Sequence, residues 1–511
     1  MRRMALIFKR LTLYFIIAAL GFVLGGFALY TYMVRSGPSL KLWHTEELKA
    51  EFSLDNKNEV RSFNDYRSLE EKLFAQLDEQ IYNRTETGAY FMLDRYSAGS
   101  AADPRKWNPN WNRSFELAAE KPAGGVLLLH GMSDSPYSLR ELGECLNKNN
   151  YWVVGLRLPG HGTVPSGLKS VTWECMAAAV RLAMDHLASK VGKDAIHIAG
   201  YSTGAPLAIE YSLSSREETN APKPASLVLI SPAIGISSAA ALASWMKALA
   251  TLPGLEKFAW TSILPEFDPF KYNSFTTNAG DQVHRLTRTV AGRVEAIAAS
   301  GPIRNFPPTL VFLSTVDATV SVDAVIDNLL EHLATEYHEL VLFDINRRSL
   351  NRSLLVSDPG PLTARLMANA NLPFSLTLVT NANPESVSIV GNHKRPFSKE
   401  TTSNPLNFVW PRGMFSLSHI ALPFPPDDPL YGRHPPVKEG VIFLGQMPIQ
   451  GERGLLRFSA DWLVRLRHNP FYDFLERRAL EWMDNANERQ SFSRKQWAPD
   501  CEKGSSRLGS G

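Results

Sequence analysis

Residues 195–213 read AIHIAGYSTGAPLAIEYSL. The first five residues form an apolar, strand-like run, and the residues from Ala205 onward are compatible with a helix. Between the two lies Gly-Tyr-Ser-Thr-Gly, residues 200–204. Glycines on both sides of a serine let the chain turn sharply and lift the serine hydroxyl clear of the backbone. This stretch therefore predicts a strand–turn–helix unit that presents Ser202 as a nucleophile.

The serine motif is weak when it is taken alone. A glycine-rich turn between a strand and a helix has the same pattern and needs no chemistry. The strand before the motif and the helix after it favour the catalytic interpretation, in which Gly200 and Gly204 form the sharp turn.

Further apolar runs are spaced by helix-compatible stretches, which predicts alternating strands and helices and a largely parallel sheet. Runs of this kind are buried on both faces when helices cover the sheet. We predict the α/β class, with a mostly parallel central sheet flanked by helices. The other strand candidates are Val126–Leu129, Trp152–Leu156, Leu227–Ile230, Thr309–Leu313 and Leu340–Phe343.

Composition restricts the class of protein. The chain has 511 residues, of which 44% are hydrophobic and 21% are charged, as in globular proteins. A net charge of +3 and the lack of a long basic run argue against a nucleic-acid partner. The cysteines are Cys145, Cys175 and Cys501, and no Cys-x-x-Cys or histidine-rich spacing occurs. Neither a disulfide framework nor a metal site is indicated.

The N-terminus predicts a membrane anchor over residues 1–35. Arg2, Arg3, Lys9 and Arg10 precede an uncharged run, Leu11–Val34, that is long enough to cross a bilayer. The basic residues favour a cytoplasmic N-terminus, which puts the rest of the chain outside the cytoplasm, facing the periplasm if the protein is bacterial. A cleaved signal peptide and a buried core helix are the alternatives.

A serine hydroxyl needs a base and preorganised donors for the oxyanion that its attack creates. The backbone N–H of Thr203, just after the serine, is the expected first donor. The second is expected from the loop after an earlier strand, where we predict the N–H of Met132. In that loop Gly131 allows a tight turn, and His130 is expected to brace the loop rather than to transfer a proton.

The sequence resembles a known family at several motifs. Residues 127–138 read LLLHGMSDSPYS, and residues 156–163 read LRLPGHGT. Together with the serine motif, they resemble bacterial carboxylesterases and monoacylglycerol lipases of the α/β-hydrolase superfamily, which overlaps in sequence with the serine aminopeptidase group. The resemblance covers about residues 125–232. It implies a serine hydrolase of the α/β-hydrolase fold that works through an acyl-enzyme, without cofactor or metal.

The resemblance also implies an acid after a later strand and a histidine after the last one. Asp317 follows the strand candidate 309–313 and is the expected acid, with Asp323 as the fallback. The histidine is harder to assign, because an insertion follows the strand candidate 340–343. We favour His419 and keep His393 and His434 as alternatives.

Domain boundaries follow from these assignments. We expect a stalk and an N-terminal extension that packs on the core over residues 36–117, a hydrolase domain over 118–487 and a C-terminal tail over 488–511. Within the domain we expect a helical cap at about 235–305, and a second insertion, about 346–414, that makes a small β excursion near the mouth of the site. A final amphipathic helix, about Phe471–Met483, is expected to pack on the core.

The cap run 239–260 is rich in apolar residues, which suits an acyl-chain pocket but equally suits any helix packed on a core. They are Trp245, Met246, Leu249, Leu252, Leu255 and Phe258.

The leading functional hypothesis is hydrolysis of a small-molecule ester or lipid beside a membrane. A peptidase or amidase is the first alternative, and a pocket acid that binds a peptide amino group would support it; Glu256 and Glu266 of the cap are the acids to consider. A non-catalytic or acyl-transferring protein is the second. Acyl length, the alcohol and the oligomeric state stay open.

Overall fold

The computed structural model describes residues 2–235, 246, 249–317, 319–335, 337–349, 355–356, 358–412, 414–436, 438–445 and 467–496. Part of the predicted cap run, including Trp245, lies outside the described residues, as does the end of the predicted tail from residue 497.

The helices and strands alternate through most of the chain. The α-helices are α1 (Arg2–Ser36), α2 (Leu42–Thr45), α3 (Phe63–Gln80), α4 (Arg140–Lys148), α5 (Trp173–Val191), α6 (Gly204–Glu217), α7 (Thr277–Ala298), α8 (Val322–Asn328), α9 (Gly360–Ala368) and α10 (Tyr472–Gln496). The strands are β1 (Phe115–Leu117), β2 (Gly124–Leu129), β3 (Tyr151–Leu156), β4 (Ile196–Tyr201), β5 (Ser226–Ile230), β6 (Trp260–Ser262), β7 (Phe275–Thr276), β8 (Thr309–Ser314), β9 (His338–Phe343), β10 (Ser375–Asn381), β11 (Ser388–Lys394) and β12 (Thr401–Val409).

One large sheet has the strand order β1-β3-β2-β4-β5-β8-β9-β10-β11-β12. The strands from β3 to β10 in that order pair in parallel, and β1, β11 and β12 pair antiparallel at the two edges. Because parallel strands all end at the same edge, the loops that follow β2, β4 and β8 lie close together. β6 and β7 form a separate two-stranded sheet.

Helices cover both faces of the large sheet, and each interface is a separate apolar cluster. One cluster joins Leu229 of β5 to Leu207 of α6 and Leu286 of α7. The other joins Phe343 of β9 to Leu475 of α10. The central strands are buried throughout, as expected for a parallel sheet between two helical layers. The predicted fold class is confirmed.

All six predicted core strands are present, as β2, β3, β4, β5, β8 and β9. The insertion at 346–414 differs from the expectation, because it makes no separate β excursion. Its apolar stretches become β10 and β11, which extend the main sheet beyond β9. β12 escaped prediction because it is a polar, mostly exposed edge strand that contains Pro405.

Much of the N-terminal extension packs against the core, as expected for this segment. Arg157, at the end of β3, is fully buried and forms ion pairs with Glu51 at 3.0 Å and with Glu70 of α3 at 3.1 Å. Tyr66 of α3 donates a hydrogen bond to the Arg157 carbonyl oxygen. β1 belongs to the sheet although it precedes the expected domain boundary at 118.

One helix of the expected cap belongs to the core. α7 falls within the expected cap, yet Leu286, Val290 and Val294 are buried in the same cluster as the central strands, so this helix belongs to the core layer. At the other end of the chain, Phe471, Leu475 and Met483 are buried, and the last helix packs on the core as predicted. It continues to Gln496, into the segment expected to be a tail.

α1 contains one candidate membrane span, Ile7–Ser36, whose most apolar 18-residue window has a mean hydropathy of 2.2 and is not buried. Its C-terminal end contacts the segment before β6. The Tyr30 and Phe258 rings meet edge to face at 5.6 Å, and Lys257 donates to the Arg35 and Gly37 carbonyl oxygens. The end of α1 therefore lies directly on the folded domain.

Candidate active site

Ser202 lies at the turn between β4 and α6 in a left-handed backbone conformation, with φ 51°. This turn has no room for side chains at the two glycines. A Cβ on Gly200 would lie 2.6 Å from the Gly204 carbonyl carbon, and a Cβ on Gly204 would overlap the Leu129 carbonyl oxygen. The tight packing explains why glycine flanks the serine on both sides.

His419 joins Ser202 to Asp317. Its Nε2 lies 3.0 Å from Ser202 Oγ, and its Nδ1 lies 2.8 Å from Asp317 Oδ2. An ionised carboxylate can only accept, so the Nδ1 proton points to Asp317 and Nε2 is left to accept from the serine hydroxyl. The residues predicted as nucleophile, acid and base thus form one hydrogen-bonded row.

Local hydrogen bonds orient the carboxylate. The Asp317 side chain is fully buried, and its Oδ1 accepts from the Thr319 and Val320 backbone N–H groups at 2.8 and 3.0 Å. Oδ2 is then directed at His419. The Asp317 side chain is therefore oriented by its own loop, independently of its contact with the imidazole.

His419 lies on the loop that follows β12 and crosses back over the sheet. The Asn346 N–H donates to the Phe415 carbonyl oxygen at 2.7 Å, and its side chain donates to the Met414 carbonyl oxygen. The Tyr201 hydroxyl donates to the His419 carbonyl oxygen at 3.4 Å. The histidine therefore follows the last strand of the sheet, β12, and the loop is tied to the end of β9.

The loop after β2 lies against the serine. A Cβ on Gly131 would lie 3.1 Å from Ser202 Cβ, so this position also requires close backbone approach. Within the part of the chain that the structure describes, the N–H groups of Met132 and Thr203 donate no hydrogen bond. Both are thus available as oxyanion donors, the role we assign to them as a proposal.

His130 braces this loop through both ring nitrogens. The Leu158 N–H donates to Nε2 at 3.0 Å, so the ring proton is on Nδ1, which bonds the Gly131 carbonyl oxygen at 2.9 Å. Burial, reinforced by His161, lowers the pKa of His130 well below its usual value. The neutral ring can position the loop but is engaged at both nitrogens.

Asp134, in the same loop, is a buried carboxyl that sequence reasoning assigned no role. Burial raises its pKa to about 6, although the charge of Lys271 lowers it. Its Oδ1 accepts from the Ser135 N–H at 3.0 Å. Its place in residues 127–138, one of the motifs shared with the family, is the sequence feature that could have drawn attention to it.

A cavity of about 360 Å³ lies beside the site. Ile420, which follows His419, lines it together with Lys271 and Tyr272. The Tyr272 N–H donates to the Ser133 carbonyl oxygen at 2.8 Å, which joins this wall to the loop after β2.

The alternative site residues are engaged elsewhere. His393 lies in β11, where its Nδ1 is 2.9 Å from Thr377 Oγ1. His434 is exposed, and Asp323 forms an exposed ion pair with Arg365.

The two cap acids considered for a peptide amino group are also engaged. Glu256 is exposed and accepts from the Gly254 N–H. Glu266 is buried, and its oxygens accept from the Asn273 and Ser274 N–H groups. Among the described residues, no group of three or more His, Cys, Asp and Glu side chains could hold a metal ion.

Comparison with known proteins gives one family match. The model of the alpha/beta hydrolase family matches residues 126–344, a segment that contains Ser202 and Asp317 but not His419. The thermostable monoacylglycerol lipase of Bacillus sp. (strain H-257) is 27% identical over 230 residues, which is 45% of this chain and 80% of the relative.

Solved structures also match part of the chain. The monoacylglycerol lipase of Paleococcus ferrophilus is 20% identical with a TM-score of 0.35, covering 45% of this chain and 88% of its own. A soluble variant of the monoglyceride lipase of Saccharomyces cerevisiae is 14% identical with a TM-score of 0.34, covering 45% and 82%.

Proposed function

We propose that this chain, an α/β-hydrolase similar to lipases and esterases, cleaves carboxylic esters while α1 holds it at a membrane. The observation that carries the proposal is the row formed by Ser202, His419 and Asp317, with 3.0 and 2.8 Å between the bonded atoms. The similarity to a monoacylglycerol lipase supports an ester of the carboxylesterase or monoacylglycerol type.

In the proposed reaction, His419 Nε2 takes the proton from Ser202 as Oγ attacks the ester carbonyl carbon. The Asp317 carboxylate stabilises the imidazolium that forms. His419 then returns the proton to the leaving alcohol, and the acyl group stays on Ser202 as an ester. In the second half of the reaction, His419 takes a proton from water as the water oxygen attacks the acyl carbon. The carboxylic acid leaves, and His419 returns the proton to Ser202 Oγ.

The oxyanion formed in each half of the cycle would be bound by backbone donors. The N–H groups of Met132 and Thr203 flank the serine and are free of other partners among the described residues, as required for preorganised donors. Gly131 supports this role, because a Cβ at this position would lie 3.1 Å from Ser202 Cβ and crowd the approach of the loop to the serine.

The experiment is hydrolysis of 4-nitrophenyl acetate and 4-nitrophenyl laurate by the full chain in detergent, beside Ser202→Ala, His419→Ala and the matched control His393→Ala. We expect turnover to be lost in the first two variants and kept in the control. Unchanged turnover in Ser202→Ala would refute the mechanism. Turnover that is lost in His393→Ala but kept in His419→Ala would show that His393 of β11 is the base.

Membrane anchoring is tested separately, because only the length and composition of α1 support it. We expect the full chain to sediment with membranes and to stay there through alkaline carbonate extraction. Release into the supernatant would contradict the anchor and leave the hydrolase proposal intact.

A further inference from the structure

A groove of about 1030 Å³ lies between the N-terminal extension and the segment around β6. The extension supplies Pro38, Trp43, Phe91 and Leu93 to its walls, and Leu264 and Phe267 line the opposite side. Much of this wall lies outside residues 126–344, so it belongs to what this chain adds to the family domain.

The rim of the groove exposes large apolar side chains to an unusual degree. Tyr90 is 91% exposed, Leu93 is 54% exposed and Leu264 is 45% exposed. Single exposed apolar residues are ordinary, but several around one concave surface mark a site for an apolar ligand or a membrane.

The groove opens beside the end of the candidate membrane span. α1 ends at Ser36, and Pro38 and Ser39 already line the groove. Lys257 donates to the carbonyl oxygens of Arg35 and Gly37 at 2.9 and 2.7 Å, which holds this connection on the domain. A bilayer around α1 would therefore bring lipid to the mouth of the groove.

The groove is also adjacent to the candidate active site. Leu264 and Phe267 line both the groove and the smaller cavity beside His419, which Ile420 borders. Leu264 and Phe267 therefore form part of the wall between the two spaces. The smaller cavity in turn borders the loop that carries His419, because Ile420 lines it.

We propose that the groove binds the acyl chain of a lipid ester taken from the bilayer around α1 and leads it past Leu264 and Phe267 to Ser202. This inference rests on the proposed function and specifies its substrate class, a long-chain lipid ester. It assigns the N-terminal extension a part in substrate binding.

The test uses the full chain in phosphatidylcholine vesicles, with 1-oleoylglycerol in the bilayer and 4-nitrophenyl acetate in solution. We expect Leu93→Glu and Leu264→Glu to lower the ratio of oleoyl to acetate turnover by about tenfold or more, because a charge on the wall opposes entry of an apolar chain. Phe397→Glu is the matched control, since Phe397 is 60% exposed at the turn between β11 and β12.

A ratio that is unchanged in both groove variants while the unmodified chain cleaves both esters would overturn the groove and leave the proposed function standing. If the unmodified chain cleaves neither ester, the proposed function is overturned instead. A second readout avoids turnover: a photoreactive oleoyl ether should label residues around 84–94 or 263–267 in Ser202→Ala. Labelling confined to α1 would contradict the groove.

Discussion

His419 Nε2 lies 3.0 Å from Ser202 Oγ, although the two residues are 217 positions apart in the chain. The contact forms because the loop after β12 returns across the sheet to the end of β4, where Asp317 meets the other ring nitrogen. The Asp317 carboxylate holds the imidazole in one orientation. Loss of this carboxylate should therefore affect the chemistry rather than the fold.

We predict that Asp317→Asn lowers kcat by about 10⁴-fold with little change in KM, because an amide in place of the carboxylate favours the wrong imidazole tautomer. Steady-state kinetics on 4-nitrophenyl acetate checks this. Asp323→Asn, in the first turn of α8, is the matched control and should keep its activity. A similar loss in both variants would argue against Asp317 as the acid.

We predict that Gly204→Ala prevents normal folding, since the added methyl group would overlap the Leu129 carbonyl oxygen in the core. Gly292→Ala is the matched change at an exposed position in α7, where a Cβ meets nothing within 4 Å. It should stabilise the protein by about 0.5–1 kcal/mol. Soluble yield and thermal unfolding distinguish the two, and equal behaviour would contradict the packing at the turn.

We predict that Asp134→Asn raises the thermal midpoint at pH 8 but not at pH 4. Burial raises the pKa of Asp134 from 3.8 to about 6 in the folded protein. The folded state therefore holds a proton that the unfolded chain has lost, and stability falls as the pH rises from about 4 to about 6. The asparagine removes this penalty above pH 6.

Thermal unfolding at pH 4, 6 and 8 measures the difference, with the exposed Asp427→Asn as control. A gain in thermal midpoint that is largest at pH 4 would show that the pKa of Asp134 is not raised in the folded protein.

We predict that Glu70→Ala destabilises the protein by about 3 kcal/mol or more, because it leaves the buried Arg157 guanidinium without one of its partners. Glu47→Ala, which breaks an exposed ion pair with Lys169, should cost at most about 1 kcal/mol. Denaturant unfolding of both variants gives the comparison. Equal, small losses would mean that the extension is not joined to the core through Arg157.

Much of the fold and of the candidate site could be predicted from local sequence. The six core strands were found because strands buried on both faces are short, continuous apolar runs. The turn at Ser202 was found because two glycines are needed where backbone atoms meet closely. The resemblance to α/β-hydrolases, which implies an acid after a later strand and a histidine after the last one, led to Asp317 and His419, whose catalytic roles stay predictions.

The tertiary structure alone decided which distant segments meet. The first four residues of β12 are polar and Pro405 follows them, so the sequence pattern does not predict a strand, which forms by pairing with β11. Glu70 reads as one charge among many on α3, and its burial follows from Arg157 at the end of β3. The spacing of apolar residues in a segment shows which of its positions are buried, because each buried position favours an apolar side chain. The partner that buries it is set by the path of the whole chain, and this path brings the N-terminal extension beside the candidate site.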